Sequence, residues 1–156
     1  MTQLVFVPLD RAAVVELRSG AGRSSYPGCA PTAGLAGALG PGTAADELEF
    51  AALSSAGVLA LSATTDPRRL VVAAEIAPAQ LADPGGPDGQ VSVRDLGWAQ
   101  VQALFVDEAA AVPAVARARA ALGVVDLADA LSAPEVAALV DDFDLLWFAP
   151  EELDNL

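Results

Sequence analysis

Three short runs, Leu4–Val7, Leu70–Ile76 and Val101–Val106, are apolar at almost every position. Side chains on a strand alternate between its two faces, so a strand with one wet face carries a polar residue at every second place. These runs do not. Any sheet they build must be covered on both sides. Leu145–Phe148 is a fourth apolar run, whereas Val91–Leu96 (VSVRDL) alternates as an edge strand does.

The clearest helical pattern spans Thr43 to Thr65. Thr43 fits an N-cap, Asp46 lies where a capping box places its second member, and Asp46, Glu47 and Glu49 favour the positive end of the helix dipole. Phe50, Leu53, Gly57 and Leu61 recur at helical spacing and predict one inward face, with Gly57 admitting another backbone. Asp66-Pro67 ends the helix. A second long helix is expected from Asp107 or Glu108 to Leu122, stopped by Gly123. Shorter pieces are expected at Arg11–Arg18, capped by Asp10, at Ala77–Ala82, and twice within 124–140, the second capped by Ser132. Residues 19–42, rich in Gly, Pro, Ser and Ala, predict a long loop, with a short strand or turn near Thr32–Leu35 as its one regular piece. Residues 149–156 predict an acidic C-terminal tail.

Stripped of the short pieces, the order is strand, helix, strand, strand, helix, strand. That order predicts a single α+β domain over residues 1–156 with a ferredoxin-like split βαβ sheet. A three-layer α/β arrangement is the alternative. The second sheet face then needs cover, either from the inserted short helices or from a second copy in a homo-oligomer.

Charge and absent residue types narrow the chemistry. The net charge is −13. Up to Arg119 there are 12 acids against 8 arginines, and from Ala120 onward 9 acids and no base. Such a chain disfavours nucleic acid and anionic membrane, which attract clustered cations. Without His, the Ser-His-Asp and Cys-His mechanisms and His-based metal sites are excluded within this chain. Without Lys, there is no P-loop clamp and no Schiff base. One cysteine, Cys29, forms no internal disulfide and no zinc or iron–sulfur site, and it fits a reducing, cytoplasmic setting. Residues 1–20 do not read as a signal peptide. Gly34, Gly37, Gly40 and Gly42 miss the dinucleotide fingerprint. No cofactor, metal or catalytic residue is expected.

The remaining candidates are acids and arginines. Asp141, Asp142 and Asp144 suit a hard cation by ligand type, but their spacing fails the EF-hand loop and a solvated turn explains them better. Arg68 and Arg69 are candidates for holding an anion, although an exposed strand entry also accounts for them. The segment Asp141–Leu156 (DDFDLLWFAPEELDNL) interleaves acids with bulky apolar residues. Asp141, Asp142, Asp144, Trp147, Glu151, Glu152 and Asp154 are its candidate partner-binding residues. For residues 145–148 the better account is a core strand, with Leu145, Trp147 and Phe148 inward.

Five blocks, VFVPL (Val5–Leu9), DELEFAAL (Asp46–Leu53), RLVVAAEI (Arg69–Ile76), LFVDE (Leu104–Glu108) and LLWFAPEEL (Leu145–Leu153), resemble an uncharacterised family of small acidic proteins from high-GC actinobacteria. The resemblance implies a cytoplasmic bacterial protein and carries over no activity, cofactor or site residue. The leading expectation is therefore a non-enzymatic interaction or regulatory module that binds a basic protein partner through the acidic C-terminal third. The alternative is a small-molecule-binding or carboxylate-based catalytic domain with residues 19–42 as its lid.

Overall fold

The computed structural model describes residues 1–123 and 126–156, with Ala128 described by its backbone alone. Among these residues, seven strands form one antiparallel sheet. In chain order the elements are β1 (Gln3–Pro8), α1 (Arg11–Arg18), β2 (Ser25–Cys29), α2 (Ala33–Leu39), α3 (Ala45–Ala63), β3 (Leu70–Ile76), β4 (Leu81–Ala82), β5 (Gln90–Arg94), β6 (Val101–Val106), α4 (Val112–Leu122), α5 (Leu127–Ala130), α6 (Pro134–Asp142) and β7 (Leu146–Phe148). A 3-10 turn, Pro150–Asn155, follows. Across the sheet the order is β4-β5-β2-β1-β3-β6-β7.

The class is α+β, and the sheet contains a split βαβ unit, but with different strands from those expected. β2 and β3 both pair antiparallel to β1, so they run parallel to each other with β1 between them, joined through α2 and α3. A ferredoxin-like sheet built from the four apolar runs would instead place β6 between β1 and β3. Here β1 and β3 are direct neighbours over six residue pairs, from Gln3↔Ile76 to Pro8↔Val71. The cause is β2, which lies inside the stretch expected to be a loop. Pro27 and Gly28 hide it, since both residues are rare in strand interiors. Gly28 has a specific reason to be there. A Cβ at this position would lie 2.8 Å from the carbonyl oxygen of Phe6, where β1 and β2 meet at Phe6↔Cys29. Residues 19–42 are thus a strand and a helix, with Thr32 Oγ1 capping α2 by accepting from the Leu35 N–H at 3.1 Å.

Both broad faces of the sheet carry cover. On one face, Val5, Val7, Val72, Ala74, Leu104 and Val106 pack with Ala13, Val14 and Leu17 of α1 and with Leu153 of the last turn. On the other, Phe6, Cys29, Val71 and Ala73 pack with Leu35 of α2 and with Ala52, Ala56 and Leu59 of α3. A further cluster joins Val58 and Leu61 of α3 to Ala114, Val115 and Ala118 of α4 and to Val136 and Leu139 of α6. Each fully buried Val or Leu contributes roughly 1.5–3 kcal/mol of transfer free energy. The inserted helix α1 and the last turn therefore provide the second cover within the chain. The supposed acidic tail is part of this core, because Leu153 is fully buried and an Arg11 guanidinium nitrogen donates to the Leu156 carbonyl.

Several local expectations are corrected. The N-cap of α3 is Ala44, and the Thr43 hydroxyl instead donates to the Gly40 carbonyl at 2.8 Å. Asp10 precedes α1 as expected, but its Oδ1 accepts from the backbone N–H groups of Thr65 and Asp66 at 2.9 and 2.8 Å. Asp66 Oδ2 in turn accepts from the Arg11 N–H at 2.6 Å, so the start of α1 and the end of α3 hold each other. β5 is not the sheet edge, because the two residues of β4 pair outside it. Ser132 lies one residue before the N-cap of α6, which is Ala133. The first two positions of the expected helical stretch 124–140 lie outside the described residues.

Candidate functional site

The second sheet face is not evenly covered. α3 lies centrally over β1 and touches β2 and β3 to similar extents on either side. β6 and β7 extend beyond it. Alternation along β7 turns Trp147 toward this face, opposite Phe105 of β6. The result is a trough of about 360 Å³. Its floor is Leu4, Phe6, Ala73, Ala103 and Phe105, and Phe6 and Phe105 meet edge-to-face with centroids 6.2 Å apart. One wall is a stripe of α3 formed by Asp46, Glu49, Phe50 and Leu53, and Trp147 stands on the other side.

Phe50 and Leu53 also line a second hollow of about 280 Å³ together with Gly57, Arg69, Asp141, Phe143, Asp144 and Leu145, so this hollow adjoins the trough on the side of the end of α6. Phe50 and Trp147, on opposite sides of the trough, are each 61% exposed. The inward face expected for α3 is thereby corrected at Phe50. The buried side of the helix is Ala52, Ala56 and Val58–Leu61, and Phe50 falls outside it.

The sequence candidates separate. Trp147 lines the trough with Asp46, Glu49 and Phe50 from almost a hundred residues earlier, and Asp141 and Asp144 line the adjoining hollow that shares Phe50 and Leu53 with it. Asp142 faces away, into a hollow shared with Arg117 and Glu135. Glu151 is exposed on the last turn, and Glu152 Oε2 accepts from the Ala149 N–H at 2.7 Å. Asp154 pairs with Arg18 at 3.1 Å, and the hydrogen bond and charge of Arg18 hold its carboxyl below the ordinary range. Those three acids serve the fold of the C-terminal turn or open solvent, not the trough.

The two arginines separate as well. Arg68 is half-buried beside Arg11, Asp66 and Leu156. Arg69 is 3% exposed and already holds an anion from its own chain. Its Nε and Nη2 donate to the two oxygens of Asp107, both at 2.8 Å, and Nη2 also reaches the Phe143 carbonyl at 3.3 Å. Arg69 is therefore a buried clasp between β3, the end of β6 and the α6–β7 link. Gly57 exists to admit this guanidinium, not a backbone, since a Cβ there would lie 3.2 Å from Arg69 Nη1. Asp107, expected to open a helix, is the other half of the clasp.

Other chemistry is muted. Cys29 is fully buried, and burial, followed by the charge of Asp88, pushes its thiol up to about 12. Among the described residues no three His, Cys, Asp or Glu side chains gather as a metal site, and no helix is long and apolar enough to cross a membrane. A separate apolar hollow of about 370 Å³ lies between α2 and α3, with Leu35, Leu39, Val58 and Leu131 in its walls and Ser54, Ser55 and Asp88 as its polar groups.

Sequence reading missed Phe50 because an aromatic residue at core spacing reads as core. The available signal was its setting: Phe50 directly follows Asp46, Glu47 and Glu49, in the most acidic turns of the helix.

A model of a family of unknown function, DUF6912, matches residues 4–156. No curated protein and no solved structure matches the chain. With nearly its whole length covered, the chain belongs to this family of unknown function.

Proposed function

We propose that this protein is a non-enzymatic cytoplasmic interaction module that binds a basic protein segment in the acid-lined trough between α3 and β7. One observation carries the reading: two aromatic side chains, Phe50 and Trp147, each 61% exposed, flank a surface lined by acids from two distant parts of the chain. Apolar anchors supply affinity, and surrounding charge supplies rate and selectivity for a cationic partner. The net charge of −13 supports the same sign of partner. The absence of His and Lys and the inert Cys29 support binding over catalysis. A single, buried cysteine suits a reducing compartment.

Capture from lysate with wild-type protein and with Phe50→Ala/Trp147→Ala, at low and high salt, tests this reading. A basic protein retained by wild type, lost in the double variant and weakened by salt is the expected result. A retained set that is the same for both proteins overturns it.

The hollow between α2 and α3 favours a second reading, a small apolar ligand held there. In that reading α2 is a wall and not a lid. A ligand that raises the melting temperature of wild type but not of a Val58→Trp variant would favour it.

A further inference from the structure

We propose that the occupant of the trough is an amphipathic, basic α-helix that lies beside α3 and completes the helical layer on that face. This inference rests on the basic-partner reading and specifies the shape of the partner.

The argument begins with dimensions. Neighbouring strands are about 4.8 Å apart, and a helix with its side chains is about 10 Å across, so one helix covers about two strand spacings. α3 sits over β1 and reaches β2 and β3. Ala103 of β6 is already buried in the cluster with α3, whereas Phe105 is half-buried and Trp147 of β7 exposed, so the open strip lies along β7 and the flank of β6 and takes one helix at its edge. Its floor has the small-and-aromatic relief of a helix-bearing sheet face, with Ala73 and Ala103 beside Phe6 and Phe105. The wall offered by α3, from Asp46 to Gly57, is three helical turns long, about 16 Å at 1.5 Å per residue. It presents residues at i, i+3, i+4 and i+7, the spacing with which a parallel neighbouring helix interdigitates.

Charge decides the chemistry of the occupant. Asp46 and Glu49 lie along the α3 wall, and Asp141 and Asp144 stand at one end. Among the described residues, Arg69 is the one cation lining the trough or the adjoining hollow, and it is bound to Asp107. A second copy of this chain would bring its own charge of −13 to an acidic surface and is disfavoured. A helix with apolar residues toward Phe105 and Trp147 and Lys or Arg on its flanks satisfies both the floor and the walls.

The test uses three synthetic 18-residue peptides. One is a Leu/Lys peptide with helical periodicity, one has the same composition in strict alternation, and one has the same charge with Gln in place of Leu. Binding is followed by calorimetry and by tryptophan emission, with Trp98→Phe leaving Trp147 as the sole tryptophan. The helical peptide is expected to bind saturably, shift Trp147 emission to the blue and lose at least about 10-fold in affinity to Phe50→Ala. Equal or tighter binding by the alternating or the Gln peptide overturns the proposal. So does indifference to Phe50→Ala, or no Trp147 response to the helical peptide at millimolar concentration. Should Trp147 stay unmoved while lysate capture still depends on Phe50 and Trp147, the basic-partner reading stands and the helical occupant alone fails.

Discussion

Asp107 accepts three hydrogen bonds from one residue: Arg69 donates to it through Nε, Nη2 and its own backbone N–H, at 2.8, 2.8 and 2.9 Å. Both side chains are almost wholly buried. The pair fastens the start of β3 to the end of β6 and, through the Phe143 carbonyl, holds the loop that carries Asp144 at the end of the trough. Removing one partner leaves an uncompensated buried charge. Asp107→Ala is expected to cost about 3–5 kcal/mol in chemical denaturation. Arg69→Met/Asp107→Leu should recover much of that loss, and a double variant as unstable as the single one would count against the explanation.

Gly57→Ala follows from the same clasp. On an exposed helix the change would gain about 1 kcal/mol of helical propensity. Here the new Cβ would lie 3.2 Å from Arg69 Nη1 and 3.3 Å from Leu145 Cδ1. Arg69 is pinned by Asp107 and has little room to yield. We expect a net loss of about 1 kcal/mol, and a smaller loss in an Asp107→Ala background, where the guanidinium is free to shift. Strict additivity of the two changes would contradict the coupling.

Burial protects Cys29 from chemistry. With its thiol raised to about 12, it should remain unmodified by a thiol reagent at pH 8 in the native protein and react once per chain in denaturant. The sign of the stability effect follows from proton binding. The folded protein holds this proton more tightly than the unfolded chain, whose thiol titrates near 9. The contribution is fully present below about pH 9 and declines toward pH 12, by at most about 1.4 kcal/mol per pH unit. Cys29→Ala should flatten that part of the stability profile. An unchanged slope would point to other groups.

Leu153→Ala tests the standing of the last turn. Deleting a fully buried leucine side chain costs about 2–5 kcal/mol, so this variant should be among the more destabilised. Glu151→Gln, two residues away and exposed, should remain within about 0.5 kcal/mol of wild type. Similar thermal melts for both variants would mean that the segment behaves as the free tail its composition suggests.

Trp147→Ala separates binding from folding. Its side chain is largely in solvent, so stability should change by no more than about 1 kcal/mol, while binding of a basic helical peptide should fall at least about 10-fold. A large stability loss would show that Trp147 is structural.

Much of the frame was legible because it rests on period and composition. The apolar runs became β1, β3 and β6, and the acid-headed run with helical spacing became α3, although without the expected Thr43 cap. Their two-sided hydrophobicity correctly demanded two covers. β2 was not legible, because Tyr26-Pro27-Gly28 has the composition of a turn and becomes a strand only through its five-pair ladder with β5. Without β2 the parallel partner of β3 could not be identified. Arg69 and Asp107 each had an adequate local explanation, and only the fold brings them together across 38 residues of sequence. The trough has the same origin: Phe50 and Trp147 acquire meaning from the strand order, which places β7 beyond the reach of α3.

The position of β1 at the centre of the sheet has a consequence for how the chain acquires its structure. Gln3 pairs with Ile76 and Pro8 with Val71, while its contact with the nearer strand β2 is a single pair. Closing such wide loops is entropically costly before the contacts that reward it exist, which places this topology among slow folders. During synthesis the first strand leaves the ribosome apolar on both faces and waits for some seventy residues before its main neighbour emerges. Until β3 has been made, that segment is an unpaired apolar strand open to misassociation.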